Sequence, residues 1–191
     1  MRKVIVQEFV SMDGFATDLN EGLDFIPSLS GHTPVNETLE EYQLEFMATV
    51  DHILLGRKTY EMFAGYWPSA TKEQELVADE LNGKSKIVCS KTLTQAPWGS
   101  WEPARIVQSN LSHEINILKQ EEGKNIVLWG SLSLASALTM EGLVDEFILM
   151  VCPVMLGGGR TVFPQRSEAS RLQLLDSRTF GNGVVMLHYQ L

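Results

Sequence analysis

Short apolar runs alternating with segments of helical spacing constrain this chain more than any other feature. "KVIVQEFV" (3–10), "DHILLG" (51–56), "SKIVCS" (85–90), "ARIVQS" (104–109) and "NIVLWG" (125–130) are β-branched, apolar and about the length of a strand. Between and after them lie stretches that read as helices: 36–49, opened by Asn36 as a cap and acidic in its first turn, then 57–63, 72–81, 113–120 and 131–140, the last stopped by Gly142. A strand that returns through a helix re-enters its sheet parallel, so this order predicts a mostly parallel sheet with helices on both faces. The last quarter differs. "VDEFILMVCPVM", "LQLLDSRTF" and "GVVMLHYQL" are three strand-like runs, the last two separated by Gly181, Asn182 and Gly183. That spacing predicts an antiparallel hairpin on the edge of a mixed α/β sheet. With 191 residues, 44% of them hydrophobic, and no repeat or charged linker, the expectation is a single domain over 1–191.

Charge narrows the function classes. A formal net charge of -9 and the lack of any run of Lys or Arg argue against a nucleic-acid or anionic-membrane surface, so an anion has to be caught locally. The longest apolar run, "FILMVCPVML", is too short to cross a bilayer and contains Pro153. At the N-terminus, Gln7 and Glu8 interrupt the apolar run before a signal-peptide core forms. Cys89 and Cys152 sit inside apolar stretches without CxxC spacing and read as small core residues. The expected location is therefore the cytoplasm. His32, His52, His113 and His188 are scattered, with no partners at ligand spacing, so no metal site is expected.

In open α/β sheets, ligands bind at the carboxyl ends of the strands, which directs attention to "SMDG", "GRKT", "CSK" and "WGS". Gly56 lets backbone come close, and Arg57, Lys58 and Thr59 follow in the first turn of a helix, whose N–H groups and dipole attract anions. Ser90 and Lys91 add a hydroxyl and a cation, while Gly130 and Ser131 open another helix. Two helix starts and three cations suit a dinucleotide with an extra phosphate, for which the planar fork of Arg57 is suited. A Gly-Arg-Lys junction also serves elsewhere as a plain turn with solvated charges. No G-x-G-x-x-G, Walker lysine motif or G-x-S-x-G is present.

Two acids stand apart from the rest. Glu37, Glu41 and Glu45 recur at i, i+4, i+8 as one solvated stripe, whereas Glu40 lines up with Leu44 and Met47 and heads an apolar stripe. That position makes Glu40 a candidate proton donor or substrate anchor; the alternative is a half-exposed acid favourable to the helix dipole. Asp13 either orients a substrate at the end of the first strand or simply makes an Asp-Gly turn. The four tryptophans could each stack on a flat ring, though large aromatics more often pack in a core or its rim; Trp129, which abuts Gly130, is a candidate cofactor-binding residue.

Taken together, "SMDGF" (11–15), "LLGRKTYEMFAGYWP" (54–68), "KIVCSKTL" (86–93), "IVLWGSLSLASAL" (126–138) and "LVDEFILMVCPVMLGGGRTVF" (143–163) resemble the dihydrofolate reductase-like family, in the branch that includes the reductase domain of riboflavin-biosynthesis enzymes. The resemblance spans nearly the whole chain. It implies a mixed sheet flanked by helices, NADPH as hydride donor and commonly a homodimer. Arg57, Lys58 and Thr59 match the segment for the 2′-phosphate and pyrophosphate, and Ser90 and Lys91 the segment near the adenosine phosphate. Gly130, Ser131 and Leu132 match the turn beside the pyrophosphate and nicotinamide. Counted back from Gly56, Glu40 falls where folate reductases carry their substrate-binding acid. Two features depart from the pattern. Trp129-Gly130 stands where folate reductases have a cis Gly-Gly, and the loop over 14–35 does not match their substrate loop, so neither a cis bond nor folate specificity carries over.

What this implies is an NADPH-dependent reductase acting on a C=N or C=O group of a small heterocycle, pterin- or pyrimidine-like. The alternatives are a ribosylaminopyrimidine phosphate reductase of riboflavin biosynthesis and a nucleotide-binding protein that keeps the fold without turnover. The zinc deaminase that usually accompanies the former would show His-x-Glu and Pro-Cys-x-x-Cys, and neither is present.

Overall fold

The computed structural model describes residues 1–27, 38–165 and 169–191, so Asn36, Glu37, His32 and the 28–35 part of the long loop lie outside the described residues. Eight strands take the order β4-β3-β2-β5-β1-β6-β8-β7, where β1 is Val4–Ser11, β2 Val50–Gly56, β3 Ser85–Cys89, β4 Arg105–Val107, β5 Asn125–Trp129, β6 Glu146–Cys152, β7 Gln173–Thr179 and β8 Val185–Gln190. Helices α1 (Leu39–Met47), α2 (Arg57–Ala64), α3 (Ala78–Gly83), α4 (Leu111–Gln120) and α5 (Leu132–Met140) largely alternate with the parallel strands, as the apolar spacing predicts, except that α2 and α3 both lie between β2 and β3 and β4 follows β3 without a helix between them. The residues fall into two compact units that share β1, whose first residue belongs to one and the remainder to the other.

In the first unit, 1–4 with 40–131, strands β2, β3, β4 and β5 run parallel. Their interior residues, among them Leu54, Leu55, Val88, Val127 and Leu128, are almost wholly inaccessible. Strands buried this completely lose the alternation of a half-exposed sheet and read as continuous apolar runs, which is why they stand out in the sequence. At their amino ends, Arg2 binds Asp51 at 2.6 Å and the carbonyl oxygens of Glu122 and Lys124 at 2.9 Å each. The Lys124 N–H, together with Arg2, holds the Asp51 carboxyl below its usual range.

Two helices depart from expectation. Helix α1 buries Leu39, Tyr42, Gln43, Phe46 and Met47, which leaves Glu40 and Leu44 half-buried on its flank instead of at the head of the buried stripe. The helix expected over 72–81 begins only at Ala78. Residues before it form turns in which the Thr71 N–H binds the Gln74 side chain at 3.0 Å, and the Leu76 N–H goes to the Glu40 carboxylate. An N–H spent on a distant side chain cannot enter a helical ladder, so the helix starts after it.

In the second unit, 5–39 with 132–191, β1 pairs parallel with β6, β6 antiparallel with β8, and β8 antiparallel with β7. The C-terminal hairpin thus forms as the Gly181-Asn182-Gly183 spacing predicts, with Gly183 at φ +84° in its turn.

Candidate functional site

The parallel registers of the first unit bring three strand ends to one edge. Gly56 pairs with Cys89 and Leu55 with Trp129, so Arg57 and Ser90 leave neighbouring strands at the same level and Gly130 is level with Gly56, one residue before them. Two close approaches lock the β2 and β5 ends together. A Cβ on Gly56 would come within 2.3 Å of the Ser131 hydroxyl, and one on Gly130, whose φ is +70°, within 2.7 Å of Thr59 Cγ2. Any larger residue at either position would force the turns apart, and at Gly130 the left-handed backbone adds its own penalty. The peptide bonds of the described residues, Trp129–Gly130 included, are all trans.

Around this edge the side chains are cationic or hydroxylic. Arg57 and Lys58 are exposed in the first turn of α2, whose cap position is Gly56 and carries no side-chain cap. Thr59 is buried against Gly130. Lys91 is exposed, while the buried Ser90 hydroxyl accepts the N–H groups of Thr92 at 3.2 Å and Leu93 at 3.1 Å, closing the turn that carries Lys91 away from β3. Cys89 offers no nucleophile, because burial pushes its thiol up to about 12.

The sequence reading missed two neighbours of this edge. Glu61, one turn along α2, accepts a hydrogen bond from the Arg57 guanidinium at 2.9 Å. Its i, i+4 spacing was the signal. Phe63, another half-turn on, packs against both Trp129 and Trp67, with ring centroids 6.1 Å apart in each case. Glu40 lies in the same unit, half-buried, with its carboxylate on the Leu76 N–H.

Asp13 and Leu132 belong to the second unit. Leu132 is buried and opens α5. Asp13 is an exposed carboxylate with three donors: the Ser11 hydroxyl at 2.6 Å, the Leu156 N–H at 3.1 Å and the Gly157 N–H at 2.7 Å. Led by Ser11, these bonds favour the ionised form and hold the carboxyl at about 2. The turn it sits in is the Asp-Gly turn of the sequence reading, with Gly14 at φ +88°. Asp13 thereby ties the end of β1 to the glycine-rich 156–160 segment, which is fastened further by Ala16 N–H to Arg160 carbonyl (2.7 Å) and Arg160 N–H to the Thr17 hydroxyl (3.2 Å).

A cavity of about 390 Å³ lies elsewhere in this unit, lined by Thr139, Gly142, Asp145, Ser170 and Gln190 among others. It sits at the amino end of β6, away from the strand ends that carry the anticipated residues. Among the described residues, no group of three His, Cys, Asp or Glu side chains could hold a metal ion, and no helix is long and apolar enough to cross a membrane.

Comparison with known proteins adds to this geometry. The family model for the RibD C-terminal domain matches residues 2–186. The protein YyaP of Bacillus subtilis (strain 168), described as uncharacterized, is 32% identical over 98% of this chain and 94% of its own length. YwjB of the same organism, described likewise, is 29% identical over 98% of this chain and 97% of its own. Among solved structures, a Shewanella sp. PV-4 protein named for riboflavin biosynthesis superposes with a TM-score of 0.75 at 23% identity, covering 98% of both chains. A Thermotoga maritima diaminohydroxyphosphoribosylaminopyrimidine deaminase/5-amino-6-(5-phosphoribosylamino)uracil reductase superposes with a TM-score of 0.65 at 12% identity, covering 99% of this chain and 56% of its own. At those identities the structures establish the fold.

Proposed function

Because the chain belongs to the family of the RibD C-terminal domain, we propose that it is a pyridine-nucleotide-dependent reductase whose donor is NADPH and whose acceptor is a C=N or C=O group of a small pterin- or pyrimidine-like heterocycle. The observation that carries this reading is the strand-end edge of the first unit. In an acidic chain, Arg57, Lys58 and Lys91 collect where two glycines leave backbone without side chains between them. That arrangement fits the phosphates of a dinucleotide.

When bound, NADPH would supply the hydride, and the acceptor carbon would take it while the adjacent nitrogen or oxygen gains a proton. Arg57 would pair with the 2′-phosphate and Lys58 and Thr59 with the pyrophosphate. Ser90 and Lys91 would stand near the adenosine phosphate, and Gly130, Ser131 and Leu132 would present backbone to the pyrophosphate and nicotinamide. Glu40 is the residue proposed to anchor the substrate or pass it a proton. Asp13, ionised at neutral pH, would serve as an anionic anchor and not as a proton donor. The same reading carries a homodimer.

One observation favours a second reading, a nucleotide-binding protein without turnover: the Glu40 carboxylate, the proposed proton source, already holds the Leu76 N–H of its own chain. The riboflavin-pathway substrate draws its support from the family and from the reductase activity named for the Thermotoga protein.

The test is titration with NADPH and NADH, followed by quenching of tryptophan fluorescence at low and moderate salt. NADPH is expected to bind more tightly and to weaken with salt. Arg57→Ala is expected to erase the preference, a loss of about tenfold for one charge-assisted pair. An unchanged preference would refute the assignment of Arg57, and no binding of either nucleotide would refute the cofactor.

A further inference from the structure

Three aromatic rings stand in a row at the carboxyl end of β5. Trp129 is the last residue of that strand; its ring is tilted 52° to that of Phe63, and Phe63 is tilted 57° to Trp67, the centroids 6.1 Å apart at each step. All three are half-buried. Tyr66, whose ring meets Trp67 edge-on at 5.3 Å, extends the row to solvent and donates its hydroxyl to Glu75 at 2.6 Å. The next residue along, Leu76, gives its N–H to Glu40. The row is therefore fixed at both ends. Trp129 is set by β5 and the locked Gly130 turn, and Tyr66 and Trp67 connect through 75–76 to the acid singled out as a substrate anchor.

A fully buried row would be core packing, and the interior rings of this unit, Tyr60 and Trp98, are of that kind. The half-buried row instead keeps part of its aromatic surface in water, and its first ring, Trp129, directly precedes Gly130. Electron-rich indole and phenyl faces stack best on flat, electron-poor rings, and a ring that accepts hydride is electron-poor for the same reason.

We infer that Trp129, Phe63 and Trp67 form a stacking subsite for the planar, electron-poor ring of the acceptor, so that Trp129 selects flat heterocycles over saturated ones. The inference rests on the reductase reading for the identity of its ligand, and it concerns residues separate from the phosphate-binding cations.

Calorimetric titration with lumazine, a flat pyrimidine-pyrazine ring, and with its non-planar tetrahydro form tests it on wild type, Trp129→Ala, Trp129→Phe and Arg57→Ala, each first checked by thermal unfolding. Wild type is expected to bind lumazine and to discriminate against the tetrahydro form. Trp129→Ala is expected to weaken lumazine about tenfold, the loss typical of one stacking partner, while Trp129→Phe retains most of the affinity. Arg57→Ala should weaken NADPH and leave lumazine unchanged. Equal binding of lumazine by wild type and Trp129→Ala would overturn the subsite, as would no binding by wild type. Lumazine binding that depends on Trp129 in a protein that binds no NADPH would uphold the subsite and sink the reductase reading alone.

Discussion

Arg57 shows how a single residue can look free in sequence and be engaged in the fold. Its guanidinium reaches Glu61 at 2.9 Å, and both side chains remain about half exposed, 47% and 46%. An exposed i, i+4 pair is worth a fraction of a kcal/mol, far less than a charge-assisted bond to phosphate, so a 2′-phosphate would displace Glu61 at modest cost. Glu61→Gln should therefore tighten NADPH by roughly twofold to fivefold and leave NADH unchanged. In the Arg57→Ala background the same change should have no effect, which a double-mutant titration would reveal. A gain that persisted without Arg57 would show that Glu61 acts through general repulsion. The cations and glycines of this edge were legible in the sequence because strand-end position follows from local pattern. The engagement of Asp13 with Gly157, 144 residues away, was not, since no local pattern reports a contact that distant.

At the scale of elements, helix α3 and strand β3 are joined by a buried lysine. Lys86 is 2% exposed; it donates to the Asn82 carbonyl in the last turn of α3, and its ammonium lies 4.8 Å from the centre of the Trp98 ring. Asn82 in turn accepts from Trp98 Nε1 at 2.7 Å and donates to the Trp67 carbonyl at 2.7 Å, which ties the same network to the aromatic row. Burial lowers the Lys86 amine to about 8. Below that pH both states are protonated, and the folded state bears the cost of a desolvated ammonium. From pH 8 upward the folded amine is neutral while the unfolded chain still binds a proton, so unfolding takes up protons and stability rises with pH. The Lys86 contribution is read as a difference: between pH 8 and 10 the stability of the wild type in urea unfolding should rise by about 2 kcal/mol relative to that of Lys86→Met. The raised Cys89 and Cys152 thiols act in the opposite sense within the same window, as do the raised Tyr60 and Tyr66 hydroxyls above pH 10, and being common to both proteins they cancel in that difference. A difference between the two proteins that stays constant with pH would mean the amine is solvated. The elements themselves were legible wherever burial made their apolar runs continuous. Helix α3 was misplaced because its start is set by Glu40, on a helix 36 residues earlier, and not by its own spacing.

The whole molecule is acidic, and its sheet ends in a strand that shows none of the usual protection by lysine or proline. Strand β7 is the terminal strand, exposed along nearly its entire length, with Leu174 at 51% and Leu175 at 42%. The irregularity between Leu174 and Asp176 bends its start, which leaves 176–179 as the straight part of the edge. Arg178 Nε already binds Asp176 at 3.1 Å within the strand, and an antiparallel pairing with a second copy centred on Ser177 would set Asp176 opposite Arg178 twice, adding two such pairs across the seam. A seven-residue edge alone buries too little for a stable dimer, but apolar surface leads up to it. Phe147 pairs with Tyr189 and Tyr189 with Leu174, so these three share one face; Phe147 itself is buried, and the exposed apolar area comes from Leu174 and from Phe163, 42% exposed, which packs on Phe147 with ring centroids 5.0 Å apart. Sedimentation equilibrium is expected to give a dimer that dissociates in the double variant Leu174→Lys, Leu175→Lys. Asp176→Arg should weaken it through two like-charge contacts, and restoring opposite charge with Arg178→Asp should recover it. Recovery in the double variant is the outcome specific to this register, because a dimer formed through any other surface would not respond to the charge swap.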